Sequence, residues 1–256
     1  MDYVVNKFLE ICTEEFSPYG FKRNGKAFVR VINDVMQNFA IEKLRSGREC
    51  RVLFAIVPLC LKIEKQYAKG GVYSQNLRRL EPVLDWNQWD CWTFNPKSEE
   101  SMNECIAEML LQTKKHLVPL FIRADSCKTA YDELCEVDRM IYANNLSMRL
   151  REVDKKSFKD GVFMLDNAKC YMALKNRNYS VAIEYLKAFE EQNIESYHSM
   201  LEMGYLKEED RIRREESIAR LGAEIEIISK PDENYIQELI EQNEAYSIAN
   251  LSKYIV

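Results

Sequence analysis

The segment from Arg51 to Ile63 constrains the fold of this chain more than any other part of the sequence. Two sets of apolar residues alternate along it: Val52, Phe54 and Ile56, and Leu53, Ala55 and Val57. Successive side chains of a β-strand point to opposite faces, so both faces of this strand are apolar. The pattern predicts a strand in the interior of a sheet that is covered on both sides.

A helix and two other extended segments precede this strand. Apolar residues at spacings of three and four predict an amphipathic first helix: Val4, Val5, Phe8, Leu9, Cys12 and Phe16. Residues 26–32 and 35–44 are rich in β-branched and aromatic residues, and Asn33-Asp34 between them predicts a hairpin. The end of the segment 85–94 predicts a fourth strand.

From Ser98 onward the apolar residues follow a helical period. Ser98 is a typical N-cap, with Glu99 and Glu100 in the first turn, and Pro119 is expected to end or kink the helix that follows. Further helices are predicted at about residues 126–143, 161–176, 179–192, 194–204, 206–229 and from 235 onward. The first half of the helix at 206–229 carries charged residues on all its faces, so it is expected to project into solvent or to bind a partner.

A charged connector at residues 150–160 separates two parts of the chain. We predict an α+β domain over residues 1–150, with an antiparallel sheet of about four strands and packed helices. An all-α, helical-repeat-like domain is predicted over residues 151–256. One core is expected to hold the following residues: Phe8, Phe28, Phe39, Phe54 and Ile56.

Two helices are expected to cover one face of the sheet, namely the first helix and the helix from Met102 to Leu117. Leu53, Ala55 and Val57 lie on the other face of the central strand. An exposed apolar patch of this kind favours association. We therefore expect the C-terminal helices or a second subunit to cover it, and a homo-oligomer is one alternative for the partner.

Charge is divided unequally along the chain. Residues 1–80 carry 14 Lys and Arg against 8 Asp and Glu, whereas residues 81–256 carry 22 against 33. The basic part is an expected binding region for an acidic partner. Its candidate binding residues are Lys22, Arg23, Arg48, Arg78 and Arg79. Nucleic-acid binding needs such residues on one face among exposed aromatic side chains, and the aromatic residues nearby fit a core better, so it stays a minor alternative.

The three tryptophans of the chain lie close together, at Trp86, Trp89 and Trp92. Trp86 and Trp89 are further candidate binding residues, because exposed tryptophans stack on sugars and dock peptides. The interpretation that they belong to the core and the sheet face is favoured, since tryptophan is mostly buried.

Several catalytic and metal-binding motifs are excluded or incomplete. Residues 20–27 resemble a P-loop, but Ala27 replaces the Ser or Thr that holds Mg²⁺, and a strand rather than a helix is expected to follow. Glu195 and His198 form a single Glu-x-x-His pair, whereas a di-iron bundle needs two. We predict no cofactor and no metal. An enzyme with a cryptic cysteine or carboxylate site remains an alternative.

Neither the first residues nor any apolar run predicts a membrane location. Residues 1–6 lack the basic start and the unbroken apolar run of a signal peptide. The apolar stretch 52–61 has about half the length that a membrane-spanning helix needs. Eight cysteines without a Cys-x-x-Cys spacing are typical of reduced thiols in a chain of this length. We expect a cytoplasmic protein without a membrane partner.

The N-terminal half resembles the bacterial family called domain of unknown function 4304. The resemblance covers residues 2–135 and includes the first helix, the segment 20–28, the Asn33-Asp34 hairpin, the strand 35–43 and the segment 78–92. Glu42 and Leu44 depart from the Gln and Ser that the family favours. The resemblance implies an α+β domain from bacteria or their mobile elements, and it implies no enzymatic activity.

Residues 160–195 resemble one tetratricopeptide repeat. The turn at Asn178-Tyr179 and the small residue Ala182 stand where that repeat places them, whereas Phe189 replaces a small residue. A single repeat cannot bury its own faces, so the neighbouring helices must complete a short solenoid or bundle. Taken together, the sequence predicts a non-enzymatic module that binds another protein, with an immunity-type or regulatory role in a bacterial cytoplasm.

Overall fold

A computed structural model of the chain describes residues 2–70, 74–81, 91–147, 167–230 and 232–256. Its strands are β1 Lys22–Asn24, β2 Ala27–Ile32, β3 Val35–Lys43, β4 Glu49–Pro58, β5 Gln75–Asn76 and β6 Trp92–Thr93. Its helices are α1 Tyr3–Phe16, α2 Glu99–Gln112, α3 Val118–Arg123, α4 Cys127–Ser147, α5 Asn167–Lys175, α6 Tyr179–Glu202, α7 Glu208–Ser229 and α8 Glu233–Leu251. The α+β architecture predicted from the sequence is confirmed.

The sheet is antiparallel, in the order β1-β2-β3-β4-β5, and β6 pairs with the beginning of β4. The Asn33-Asp34 hairpin is present, and Asn33 has a positive φ of 49°, a conformation that asparagine tolerates better than most residues. β4 pairs with β3 on one side and with β5 and β6 on the other, so it is an interior strand. The sequence predicted four strands, which correspond to β2, β3, β4 and β6. The short strands β1 and β5 were not predicted.

One face of the sheet packs against α1 and α2. The predicted core residues Phe8, Phe28, Phe39, Phe54 and Ile56 all belong to a single buried cluster there. The rings of Phe28 and Phe39 are stacked with centroids 4.9 Å apart, and the Phe16 ring lies 4.7 Å from that of Phe39. Because α1 is amphipathic and β4 is apolar on this face, their burial in one core follows from the sequence pattern.

The end of α8 and the residues after it cover the other face. Leu251 and Tyr254 pack with Val31, Ala55 and Val57 in a second buried cluster. The last residues of the chain also reach β2, where the Val256 amide donates to the carbonyl of Val31 at 3.1 Å. The C-terminal helices therefore provide the cover that the sequence required.

Polar side chains fix α8 to the segment that follows β4. The Ser247 hydroxyl donates to the carbonyl of Leu59 at 2.6 Å and accepts from the amide of Ile63 at 2.7 Å. Asn243 donates to the carbonyl of Cys60 at 2.9 Å. The predicted boundary between residues 150 and 151 lies outside the described residues and stays a prediction, but the two parts of the chain share this packing.

The remaining helices stack beside the sheet. A buried ion pair between Lys169 and Asp138 joins α5 to α4, and the α5–α6 pair buries Ala182. The helix break predicted at residues 192–194 is wrong, because α6 is continuous from Tyr179 to Glu202. Asn193 donates its side-chain amide to the carbonyl of Phe189 at 2.7 Å, so this polar residue is accommodated within the helix. Within the described ranges, no helix has both the length and the apolar character needed to span a bilayer.

Candidate functional site

The basic residues predicted from the sequence lie at two edges of the sheet. Lys22 and Arg23 belong to the edge strand β1, whereas Arg78 and Arg79 follow β5 at the other end of the strand order. Four strand spacings of about 4.8 Å separate these edges, so the two groups are about 19 Å apart. Arg48 lies in the turn between β3 and β4. The fold therefore does not assemble one basic surface from these residues.

Several of these basic side chains already form contacts within the chain. The Lys22 ammonium donates to the carbonyl of Lys253 at 2.8 Å, and Arg23 donates to the carbonyl of Gly25 at 3.1 Å. Arg78 forms an ion pair with Glu108 at 2.8 Å and lies 5.3 Å from the ring centroid of Trp92. Trp86 and Trp89 lie outside the described residues.

Most cysteine side chains of the described residues are buried in the interior of the protein. All eight are free thiols, and each except the half-buried Cys135 is buried. Burial raises the pKa of Cys50 and of Cys105 to about 12. A thiol must ionise to act as a nucleophile, so these two are poor candidates for catalysis. The described residues contain no group of three His, Cys, Asp or Glu side chains placed to hold a metal ion.

A π-helical turn over Thr113–Leu117 connects α2 to α3 and carries three consecutive basic residues. Lys114 pairs with Glu15 of α1 at 2.5 Å, while Lys115 and His116 contact Glu81 at 2.5 Å and 2.6 Å. Burial raises the pKa of Glu81, but the hydrogen bonds from Lys115 and His116 outweigh it, and the net pKa lies below its usual value. Turns of this kind are frequent at functional sites. This one connects α2 to α3 and forms ion pairs with α1 and with Glu81.

Helices α6 and α7 form a hairpin whose turn is fixed by local hydrogen bonds. The Gly204 amide donates to the carbonyl of Leu201 at 3.0 Å, and the Tyr205 amide donates to that of Met200 at 3.2 Å. Gly204 has a φ of +68°, the left-handed conformation in which a helix commonly ends and which glycine adopts without strain. Farther from the turn, the Gly222 position lies against Glu190 of α6, so α7 approaches α6 closely there.

The end of this hairpin exposes large apolar side chains. We call Leu201, Met203, Tyr205 and Ile212 the hairpin tip. Tyr205 is 75% exposed and Met203 is 53% exposed, although both are residue types that usually bury much of their surface. The sequence predicted that the first half of α7 projects into solvent, and the side chains of residues 208–213 are exposed. The apolar character of the turn itself was not predicted.

Beside the tip, a groove of about 450 Å³ opens between α6 and α7. We call it the hairpin groove, and its lining includes Asn193, Leu206, Arg213, Arg214 and Ile218 together with the acidic Asp210. The side chains of Arg213 and Arg214 form no hydrogen bond or ion pair with the described part of the chain, whereas Arg211 pairs with Glu208 at 2.8 Å. The groove therefore combines apolar side chains with one carboxylate and with two guanidinium groups that can donate to the carboxylates of a partner.

One signal in the sequence marks this site. Met203, Gly204 and Tyr205 place two large apolar residues around a glycine turn, directly before a charged helix. A turn in this position is normally polar, so apolar residues there indicate a contact surface.

Comparisons of the chain with models of protein families, with curated proteins and with solved structures find no match. The resemblances to domain of unknown function 4304 and to a tetratricopeptide repeat therefore stay predictions.

Proposed function

We propose that this protein binds another protein through the hairpin tip and the hairpin groove. The observation that carries the proposal is the exposure of four large apolar side chains at and beside the turn that connects α6 to α7. Clustered exposed apolar residues mark interaction sites in soluble proteins, whereas single ones do not. Tyr, Met and Arg, which the tip and groove combine, are enriched at protein interfaces.

The partner that this surface fits is an amphipathic helix with acidic residues beside its apolar face. Its apolar side chains would enter the groove against Leu206 and Ile218, and its carboxylates would pair with Arg213 and Arg214. Helix-in-groove recognition of this kind uses anchors spaced by three and four residues. Arginine forks bind carboxylates with two parallel hydrogen bonds, which gives the contact its orientation.

The role that suits such a module is immunity-type or regulatory; the family resemblance implies a bacterial setting, and the cysteine pattern favours the cytoplasm. The chain from α6 to α7 contains 12 acidic and 6 basic residues, and this excess of negative charge disfavours a nucleic acid, which carries a charge on every nucleotide. An acidic helix would need to place its few carboxylates at Arg213 and Arg214, where basic side chains outnumber the single acidic one in the groove. A second copy of the chain is an alternative occupant, and the experiment below distinguishes it.

The proposal is tested by affinity capture from the host with three forms of the chain. We expect the unmodified chain to retain one specific partner and the double variant Met203→Ser with Tyr205→Ser to lose it. Tyr235→Ser on α8 is the matched control, because Tyr235 is also exposed, at 47%, but lies outside the hairpin. The control is expected to retain the partner.

Two results would contradict the proposal. The first is a partner that the tip variant retains as well as the control does, and the second is a captured species that proves to be only the chain itself. Arg213→Glu with Arg214→Glu tests the charged part of the groove separately. These reversals are expected to weaken binding of an acidic helix by about tenfold or more, because they replace attraction by repulsion.

A further inference from the structure

A second cavity, which shares no lining residue with the hairpin groove, lies between β1 and the end of α8. It has a volume of about 350 Å³, within the range of small-molecule sites. Its lining includes Asn24 of β1, Lys65 and Lys69 of the turn Lys65–Lys69, and Lys253 and Tyr254 after α8. We call this cavity the lysine cleft.

The walls of the lysine cleft are held in place by the fold. Asn24 donates to the carbonyl of Ala68 at 3.0 Å, and Asn250 donates to that of Ile63 at 3.2 Å. These bonds connect the Lys65–Lys69 turn to β1 on one side and to α8 on the other. At Gly70 a Cβ atom would lie 2.7 Å from the Cβ of Ala40, so the turn packs directly on the sheet and its position is constrained.

Three exposed lysines line the cleft, and the charges of neighbouring residues matter for what they can bind. Lys65, Lys69 and Lys253 form no ion pair with the described part of the chain, and the described residues that line the cavity include no carboxylate. Lys253 lies 4.6 Å from the ring centroid of Tyr254, which orients it. Lys22 donates to the carbonyls of Lys253 and Ile255, at 2.8 Å and 3.5 Å, and so offsets the negative end of the α8 dipole.

Tyr254 adds a neutral donor to these charges. Its side chain is only 3% exposed, and its ring packs in the apolar cluster under the sheet. Its hydroxyl forms no hydrogen bond within the described part of the chain and keeps contact with solvent, so it can donate to a partner in the cavity. A ligand in the cavity would supply that partner.

We propose that the lysine cleft binds a small molecule that carries two phosphate groups. A phosphomonoester carries a charge of about −1.5 to −2 at neutral pH, so three unpaired ammonium groups exceed one phosphate and match two. Lysine binds phosphate oxygens as a mobile point charge, and the Tyr254 hydroxyl donates to an oxygen that the lysines leave free. This site shares no residues with the hairpin groove, so a test of one proposal does not decide the other.

Calorimetric titration of the full chain with pyrophosphate at constant ionic strength tests the proposal. Inorganic phosphate and citrate are titrated in parallel. We expect saturable binding of pyrophosphate that is about tenfold tighter than that of either comparison anion, because inorganic phosphate carries one phosphate group instead of two and citrate offers carboxylates in place of phosphate oxygens. The tip variant Met203→Ser with Tyr205→Ser is expected to bind pyrophosphate as the unmodified chain does.

Two cleft variants locate the binding. Lys65→Gln with Lys69→Gln should weaken it about tenfold or more, through the loss of two charge-assisted hydrogen bonds. The matched control, Lys7→Gln with Lys187→Gln, removes the same charge from exposed positions on α1 and α6 and should leave binding unchanged. Tyr254→Phe keeps the buried ring and removes only the hydroxyl, and it should weaken binding about two- to fivefold.

Three outcomes would overturn the proposal. In the first, pyrophosphate shows no saturable binding. In the second, the control double variant loses as much affinity as the cleft double variant, which would mean that net charge alone attracts the anion. In the third, inorganic phosphate or citrate binds the cleft at least as tightly as pyrophosphate does, which would exclude a ligand with two phosphate groups as the preferred occupant.

Discussion

The sheet with its covering helices and the α6–α7 hairpin differ in how they use apolar residues. In the sheet, every residue from Ala27 to Val31 is buried, and both faces of β4 lie inside a core. In α7, Ile225 and Ile228 are buried near its C-terminal end, and the exposed first half carries the ion pairs of Arg211 with Glu208 and Glu215. Each such pair contributes only about 0.2–0.5 kcal/mol. The structure of the sheet is therefore stabilised mainly by packing of buried side chains, whereas the end of the hairpin is stabilised mainly by local ion pairs and hydrogen bonds.

The difference explains where binding surfaces can exist. A side chain that completes a core is not available to a partner, and regions with few buried contacts supply most binding elements. In the sheet even the polar groups are used internally: Arg30 donates to Gln37 at 2.7 Å and to the carbonyls of Tyr19 and Phe121 at 2.6 Å and 2.9 Å. The hairpin instead leaves the side chains of Arg213 and Arg214 unpaired within the described residues, and it leaves the side chains of the tip exposed.

The largest expected effect of a single substitution falls on the sheet. Phe54 is 0% exposed and lies on the interior strand β4, so Phe54→Ala should lower the free energy of unfolding by about 3–5 kcal/mol. Urea denaturation followed by circular dichroism measures it. Ile212→Ala on the hairpin tip is the control and should change stability by less than about 0.5 kcal/mol. Equal losses at the two positions would remove the contrast between the regions.

A smaller loss in the free energy of unfolding is expected at the contact between α8 and the segment that follows β4. Ser247→Ala deletes the hydroxyl that serves Leu59 and Ile63, and each buried group left without a partner costs about 1–3 kcal/mol. We expect a loss of about 2–3 kcal/mol in the same assay. Ser199→Ala at an exposed position of α6 is the matched control and should be neutral. A neutral Ser247→Ala would show that α8 is not needed for the stability of the sheet.

Acid should weaken the contact at the π-helical turn. The pKa of Glu81 is lowered in the folded state, so its contribution to stability is present above the unfolded pKa of about 4.5 and is lost as pH falls through the lower folded value. Unfolding free energies measured between neutral pH and pH 3 should therefore fall less for Glu81→Gln than for the unmodified chain. The effect should be smaller than that of Ser247→Ala, and identical pH profiles would contradict it.

The sheet could be predicted because its signals are local. Alternating apolar residues define β4, and Asn33-Asp34 defines the hairpin between β2 and β3. The cover by α8 could be stated only as a requirement, since it depends on Asn243 and Ser247 meeting carbonyls that lie more than 180 residues away in sequence. Single polar residues at that separation leave no periodic pattern.

The candidate sites were harder to predict for the same reason. Lys22 and Arg23 share the basic N-terminal part of the sequence with Arg78 and Arg79, but the strand order places the two pairs at opposite edges of the sheet. The lysine cleft instead joins the Lys65–Lys69 turn to Lys253, which only the return of α8 to the sheet brings near. Sequence distance is therefore a poor guide to a surface that is assembled from several elements.

Substitutions at the hairpin tip should change the stability of the chain very little. Met203→Ser with Tyr205→Ser removes two large apolar side chains, and the same change in a core would cost several kcal/mol. Because Met203 and Tyr205 are largely exposed in the folded chain, unfolding frees little additional apolar surface at these positions, and the free energy of unfolding should change by less than about 0.5 kcal/mol per residue. Urea denaturation measures this change. A loss above 1 kcal/mol per residue would show that the tip packs against the chain itself, and the surface would then not be free for a partner.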